Sequence, residues 1–240
     1  CHNDFFEEIA KFRAARRLWY RLMTERYQTT NPKSTMLRFH TQTAGVTLTA
    51  QQPLNNVARV AYQAMSAALG GTQSLHTNSY DEAIGLPTDQ SATIALRTQQ
   101  ILAEETGIAD VVDPMAGSYH VEALTNLIES EAYALIDEIE QKGGALSALK
   151  SGFQQKMIHE SAWKQTRDIE EQNRRVVGVN HAIMDESENM EGQEIDPEIM
   201  KMQVQKIAAL KEARDSQAAA LALQSITKAT TTEENLFPLI

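Results

Sequence analysis

Hydrophobic residues recur at helical spacing near the start of the chain. Phe5, Ile9 and Phe12 follow a period near 3.6, which predicts a helix within the first 27 residues that buries one face. Four arginines lie between the apolar positions, and we expect them to solvate the other face: Arg13, Arg16, Arg17 and Arg21. A second helix is predicted over Asn55–Leu69, where Gly70-Gly71 supplies the positive φ that stops it.

Two short segments instead carry the alternating pattern of strands. Residues 36–43 alternate in character and contain β-branched and aromatic members, and residues 72–77 follow the second helix in the same style. A third helix is expected from an N-cap at Thr88 or Asp89 to Gly107, followed by a short Val111-Val112 run. Strands alternating with helices predict parallel strands covered by helices, in an α/β barrel or a doubly wound sheet. Because only two strands are convincing, the chain can hold only the end of a (β/α)8 barrel.

Beyond residue 120 the composition becomes helical. Helices are predicted over 121–142, 145–174 and 197–227, and the stretch at about 185–198 holds seven acidic residues and no basic one, as an exposed linker would. We therefore divide the chain into barrel strands and helices at 1–120 and a helical extension at 121–240. The start at Cys1 and the unfinished tail lead us to expect a piece cut from a longer protein.

Charge and cysteine content narrow the possible partners. Lys plus Arg total 22 against 32 Asp plus Glu, and the formal net charge of -10 disfavours nucleic acid and anionic membranes. No apolar run approaches the roughly 20 residues of a membrane span. The single cysteine, Cys1, excludes an internal disulfide, so a reducing cytoplasm or organelle matrix is expected.

Most reaction motifs are missing from the sequence. His159 opens a run that resembles a helical zinc motif, but Trp163 stands where the second histidine must be, and we expect no metal site. Neither Gly70-Gly71 nor Gly143-Gly144 belongs to a phosphate-binding loop, and there is no nucleophile elbow around a serine.

Polar residues are dense at the two strands. Alternating positions of the first strand are expected to share one face, and they are Arg38, His40 and Gln42. A second polar group is expected at the end of the second strand, and it consists of Gln73, His76 and Asn78. In a barrel, polar side chains at the carboxyl ends of strands are where reaction sites are built. The alternative is that these side chains only tie loops together.

Several long segments closely resemble the methylmalonyl-CoA mutase family. They are LRFHTQTAG at 37–45, LTAQQPLNN at 48–56, GGTQSLHTNSYDEA at 70–83, LPT at 86–88 and VGVN at 177–180. The matches run in the family's order over most of the chain. The resemblance implies an adenosylcobalamin-dependent acyl-CoA mutase, an isomerase whose (β/α)8 barrel is threaded by the CoA chain while the corrin covers the carboxyl-terminal rim.

On that resemblance the two strands are the seventh and eighth of the barrel. The reaction is a radical carbon-skeleton isomerisation of the methylmalonyl-CoA to succinyl-CoA type, in which the cofactor supplies the difficult chemistry. The isobutyryl-CoA and 2-hydroxyisobutyryl-CoA mutase large subunits share these segments and stay open as alternatives. A non-catalytic, helix-rich scaffold that retains a barrel remnant is the alternative from another class.

The resemblance also assigns roles to individual residues. His40 and Gln42 match catalytic strand residues that face the substrate and the adenosyl group. The substrate-binding matches are Arg38, His40 and Gln73, and the cofactor-binding matches are Gly45, Asn78, Glu82, Gly85 and Leu86. Gly85 stands where other members often carry alanine.

The resemblance implies partners as well. They are an acyl-CoA substrate, a small subunit or domain that binds cobalamin, further copies in a homo- or hetero-oligomer, and a GTPase chaperone. No Asp-x-His-x-x-Gly motif surrounds any of the six histidines, so the lower cobalt ligand is expected outside this chain. We therefore expect the chain alone to be inactive.

Overall fold

The computed structural model describes residues 1–184 and 196–239, which are mostly helical with one small parallel sheet. The chain divides into two units, Cys1–Gln193 and Glu194–Ile240. Most of the predicted acidic linker, 185–195, lies outside the described residues. None of the helices described is long and apolar enough to cross a membrane.

The first helix forms as its periodicity predicts. Helix α1, Phe5–Arg21, begins at the N-cap Asp4, whose carboxylate accepts a hydrogen bond from the Glu7 backbone N–H, and it continues as a π-helical turn over Leu22–Arg26. Phe12 is buried and stacks on Phe39, with ring centroids 5.2 Å apart. This contact joins α1 to the segment that leads into the sheet.

The prediction that the arginines of α1 solvate its outer face is correct only in part, because Arg17 and Arg21 are exposed but three of the four arginines also bond another helix. Arg13, Arg17 and Arg21 pair with carboxylates of helix α4, Tyr119–Gln141, which packs along α1, whereas Arg16 donates to Gly70 O. Arg13 bonds Glu122 at 2.7 Å, and both Arg17 and Arg21 bond Glu129. Burial opposes ionisation of Glu129, but its hydrogen bonds from the two arginines prevail and lower its pKa. A polar seam therefore joins these helices, which hydrophobic spacing alone does not reveal.

The sheet consists of β1, His40–Gln42, and β2, Ser74–His76, which pair in parallel. Helix α2, Asn55–Leu69, connects them with the bounds that the sequence predicts, and Gly71 has a φ of +79° just beyond it. Both strands are shorter than the predicted segments 36–43 and 72–77. The α/β class and the parallel pair are confirmed, whereas the barrel stays a prediction.

The other edge of β1 also carries backbone hydrogen bonds. Thr43 N donates to His76 O of β2 at 3.0 Å. Because the backbone groups of successive strand residues point to opposite edges, those of Gln42 and Ala44 point away from β2. On that side the amino group of Cys1 donates to Gln42 O at 2.8 Å, and Ala44 N donates to Cys1 O at 2.8 Å. This pair of bonds has the pattern of a parallel ladder.

Helix α3, Asp89–Glu105, starts where Thr88 accepts a hydrogen bond from Ser91 N, and Gly107 follows it with a φ of +68°. Both features are as predicted. A short 3-10 turn, Ile108–Asp110, comes next, and the Val111-Val112 run then forms no strand. Val112 is 96% exposed because no neighbouring strand of the described residues covers it.

Helix α4 closely matches the predicted helix over 121–142, whereas the two later predicted helices are each interrupted. Gly143 and Gly144 end α4, and the predicted helix over 145–174 is two helices, α5 at Ala145–Lys150 and α6 at Phe153–Glu170, separated at Gly152 with a φ of +77°. In the second unit, α7 spans Pro197–Ala213 and α8 spans Ser216–Ala229, before a 3-10 turn at Phe237–Leu239. The division at residue 120 into barrel and extension stays a prediction.

Candidate functional site

One face of the sheet is exposed and polar. The register sets His40 opposite Ser74 and Gln42 opposite His76, and these four side chains share the exposed face while Thr41 is buried on the other. The His40 ring is fixed by a hydrogen bond of 2.8 Å between its Nδ1 and Ser74 Oγ. The predicted alternation of His40 and Gln42 thus corresponds to a real surface.

Asn78 joins the carboxyl ends of the two strands. Its Oδ1 accepts a hydrogen bond from Gln42 Nε2 at 2.9 Å, and its Nδ2 donates to Thr43 O at 2.9 Å. Its backbone N–H also donates to Thr43 Oγ1 at 2.9 Å. Because Asn78 is only 2% exposed, these bonds hold it firmly, and it fixes the amide of Gln42 at the rim of the sheet.

Gly45 lies directly against Asn78 and Glu82. A Cβ at Gly45 would lie 2.9 Å from Asn78 Nδ2 and 3.1 Å from Glu82 Oε1, both closer than an ordinary contact. The missing side chain therefore makes room for the protein's own amide and carboxylate. Glu82 is exposed, so its carboxylate faces the open space beside this contact.

The loop that carries Glu82 is closed on a buried aspartate. The backbone N–H groups of Ile84 and Gly85 donate to Asp81 O, and Thr88 N donates to Asp81 Oδ2 at 3.2 Å. Burial opposes ionisation of Asp81, but the nearby Ser91 and Ser79 hydroxyls and the Thr88 backbone N–H favour its carboxylate and lower its pKa. The carboxylate thus anchors the loop at the start of α3 and leaves Glu82 to face outward.

The structure brings together only some of the sequence-predicted residues. Gln73 lies before β2, at the end of the sheet away from Asn78, so its expected place at the end of the second strand is wrong. Its amide accepts from Phe39 N at 2.9 Å and donates to Gly71 O at 2.9 Å. It lines a cavity of about 590 Å³ together with Arg16, Asp113 and Ser74.

Arg38, Gly85 and Leu86 are exposed. Arg38 precedes β1, whereas Gly85 and Leu86 continue the loop beyond Glu82. A Cβ at Gly85 would meet no atom within 4 Å, so alanine would fit there without any change. Their predicted roles toward substrate or cofactor remain predictions.

The sequence did not reveal three residues that hold the site residues or their loops in place. Ser74, which fixes His40, could have been found because it lies on the same face as His76 in a two-residue alternation. Thr43 could not, since its role depends on where Asn78 folds back. Asn56, which is fully buried beneath two loops of the site, carried no sequence signal of its own.

The arrangement suits a neutral ligand with hydroxyl and carbonyl groups. The sheet face offers amide, imidazole and hydroxyl groups that can donate or accept, and the Glu82 carboxylate can accept hydrogen bonds from two hydroxyl groups. Among the described residues, no group of three or more His, Cys, Asp or Glu side chains is arranged to hold a metal ion.

Comparisons with known proteins find a family model and relatives that are all named as acyl-CoA mutases. The family model described as methylmalonyl-CoA mutase matches residues 1–240. The large subunit of 2-hydroxyisobutanoyl-CoA mutase from Aquincola tertiaricarbonis is 43% identical over 99% of this chain and 42% of its own length.

Similar identity is found to methylmalonyl-CoA mutases. The protein from Cereibacter sphaeroides is 48% identical over 94% of this chain and 32% of its own length. The mitochondrial protein from Homo sapiens is 44% identical over 94% of this chain and 30% of its own length. The chain therefore spans well under half the length of these relatives.

Proposed function

The chain belongs to the methylmalonyl-CoA mutase family, and from this membership we propose that it forms part of an adenosylcobalamin-dependent acyl-CoA mutase. The observation that carries the proposal is the close approach of Gly45 to Asn78 and Glu82 at the carboxyl ends of two parallel strands. In a parallel α/β enzyme this rim is where ligands bind.

We propose that β1 and β2 are the seventh and eighth strands of a (β/α)8 barrel. Their parallel pairing and the polar exposed face support this, because polar side chains at this position would line the interior of a closed barrel. The backbone hydrogen bonds between Cys1 and the other edge of β1 also support the barrel, because they have the pattern that a parallel strand on that side would make.

The residues at the rim fit an adenosyl group. Glu82 would accept hydrogen bonds from the ribose hydroxyls, and Asn78 would hold the rim that bears it. When bound, adenosylcobalamin supplies the radical chemistry by which the carbonyl-CoA group moves to the neighbouring carbon. Gly45 would let the loop approach the corrin while keeping Glu82 close.

His40 and Gln42 would face the acyl group. Both offer hydrogen-bond donors without a required charge, and His40 is oriented by Ser74, so the free Nε2 of its ring points away from the sheet contact. Such groups can hold a thioester carbonyl in place while the closed barrel excludes water. Arg38 and Gln73 are proposed as more distant substrate contacts.

The substrate is proposed at the level of class. The relatives are named for methylmalonyl-CoA and for 2-hydroxyisobutanoyl-CoA, so a branched acyl-CoA is the shared chemistry. The name "large subunit" supports a cobalamin-binding small subunit or domain as partner, within an oligomer. A GTPase chaperone and a cytoplasmic location are proposed by resemblance, although some relatives are named mitochondrial.

An isomerisation assay tests this function. A complete mutase subunit that contains this chain, combined with a cobalamin-binding subunit, is incubated with methylmalonyl-CoA, isobutyryl-CoA or 2-hydroxyisobutyryl-CoA. We expect isomerisation of at least one of them that requires adenosylcobalamin. Failure with all three, by a folded subunit, would favour the non-catalytic scaffold instead.

A further inference from the structure

Asn56 bonds two separate loops with one buried side chain. It lies in the first turn of α2 and has no exposed surface. Its Oδ1 accepts from Thr49 N at 3.1 Å, and its Nδ2 donates to Thr49 O at 2.9 Å and to Tyr80 O at 2.8 Å. Arg59 Nη1 donates to the same Oδ1 at 2.7 Å.

The two loops are the ones that form the candidate site. Thr49 follows Gly45 in the loop after β1, and Tyr80 lies between Asn78 and Glu82 in the loop after β2. Asn56 bonds only backbone groups of these loops, so it fixes the path of the chain and not merely one rotamer. Asn56 thus sits where the positions of both loops are set relative to α2.

The capacity of the amide is fully used. An asparagine side chain offers two donor hydrogens and two acceptor lone pairs, and Asn56 makes four hydrogen bonds. In a buried site any substitution leaves a backbone group of at least one loop without a partner. The loop whose partner is removed is then free to shift.

A small shift would matter at the Gly45 contact. Atoms of Asn78 and Glu82 lie within about 3 Å of the place that a Cβ of Gly45 would occupy, so the two loops are as close as the side chains allow. A binding site for a rigid ligand needs its groups held within about 0.5 Å.

We propose that Asn56 is a positioning residue that sets the separation of the Gly45 loop and the Glu82 loop, and so the affinity for the adenosyl group. This rests on the proposed function. Asn56 itself touches no ligand, because it is enclosed by α2 and the two loops. Its effect passes through Tyr80 to Glu82.

The variant Asn56→Asp cuts this link between the loops selectively. The remaining oxygen keeps the bonds to Thr49 N and Arg59, and the new carboxylate gains a charge partner in Arg59. The second oxygen replaces the donor that faced both Tyr80 O and Thr49 O, so both carbonyls now face an acceptor. The 45–51 loop keeps its bond from Thr49 N, whereas the 78–86 loop loses its only bond to this side chain. Asn56→Ala is the second variant, and it removes every bond of the side chain.

A matched control lies on α4. Thr125 is also fully buried, donates to Val121 O at 2.7 Å and accepts from Arg13 at 3.2 Å. Thr125→Ala therefore removes buried hydrogen bonds far along the chain from both loops. It shows how much a general decrease in stability contributes by itself.

The experiment uses the complete subunit with its cobalamin-binding partner. Amide hydrogen exchange without cofactor is compared for peptides covering residues 45–51 and 78–86, and affinity is measured by spectral titration with adenosylcobalamin and with methylcobalamin. For Asn56→Asp we expect faster exchange in 78–86 and about tenfold weaker binding of adenosylcobalamin, the equivalent of one hydrogen bond. Methylcobalamin affinity should be unchanged, since it lacks the adenosyl group.

Each outcome decides something different. Unchanged exchange in both loops would overturn the link through Asn56, and this result does not depend on any cofactor. If Asn56→Asp speeds exchange but weakens the binding of both cobalamins equally, the proposed role of Asn56 toward the adenosyl group is wrong. The same conclusion follows if Thr125→Ala causes the same changes as Asn56→Asp. If the unmodified subunit binds neither cobalamin, the proposed function fails while the exchange data still judge the link between the loops.

Discussion

Replacing Gly45 by alanine tests the closest approach within the candidate site. The added Cβ would lie 2.9 Å from Asn78 Nδ2, 3.1 Å from Glu82 Oε1 and 3.2 Å from Glu82 Cγ. The φ of Gly45 lies outside the left-handed region, so the cost is steric only. The decrease in the free energy of unfolding then depends on whether Asn78 or Glu82 moves.

The two neighbours differ in freedom. Asn78 is buried, and its amide is held by Gln42 and Thr43, so moving it would sacrifice hydrogen bonds worth about 0.5–1.5 kcal/mol each. Glu82 is exposed and can rotate away more easily. Since overpacking costs about 1–3 kcal/mol, we expect Gly45→Ala to lower the free energy of unfolding by about 1–2 kcal/mol and to displace the Glu82 carboxylate.

Gly85→Ala is the matched control, because its Cβ would meet no atom within 4 Å. We expect its unfolding free energy to change by less than about 0.5 kcal/mol. Both variants of the complete subunit are unfolded in denaturant and titrated with adenosylcobalamin. Gly45→Ala should bind it about tenfold or more weakly, as expected when one charge-assisted hydrogen bond is removed, whereas equal stability and equal affinity of the two variants would refute the reasoning.

Three further changes have defined outcomes. Glu82→Ala in the complete enzyme should slow turnover about a hundredfold, since removing one transition-state hydrogen bond from a closed site costs on the order of 3 kcal/mol. The control Glu104→Ala removes another exposed carboxylate and should leave turnover unchanged. A large fall in melting temperature with normal turnover would make Glu82 structural. Glu122 has a pKa lowered from 4.5 to about 2 by hydrogen bonds from Arg13 and from Gly117 N, so its stabilising effect is complete above pH 4.5 and is lost as the pH falls toward 2. Glu122→Gln should therefore flatten the acid side of a stability profile, and an unchanged profile would contradict this. The 240-residue chain made alone should neither isomerise acyl-CoA nor bind adenosylcobalamin tightly, because the sheet of the described residues has two strands and β2 has no neighbouring strand on its other edge; tight binding with one sharp thermal transition would show otherwise.

Local signals predicted the helices well. Asn55–Leu69 has an amphipathic pattern and a glycine stop, and Thr88 has cap chemistry at the start of α3; both were found as predicted. Strand lengths were less well predicted, because a strand extends only as far as a neighbour pairs with it. The apolar run at Val111-Val112 shows this, since it forms no strand.

Long-range polar pairing was hidden from the sequence. The arginines of α1 alternate with its apolar residues, which indicates an exposed face, yet Arg13 bonds Glu122 from more than a hundred residues away. The candidate site divides in the same way. The alternation of His40 and Gln42 is visible in the sequence, whereas the place of Gln73 and the bonds of Asn56 depend on how loops fold back.

The most direct test of the proposed function is the structure of a complete mutase subunit, containing this chain, with bound adenosylcobalamin. We predict that β1 and β2 each have a parallel neighbour on their other edge within a closed barrel. We also predict a Glu82 carboxylate oxygen about 2.5–3.0 Å from a ribose hydroxyl, the range of such hydrogen bonds. An adenosyl group bound elsewhere, or β2 left with an open edge, would contradict the proposal.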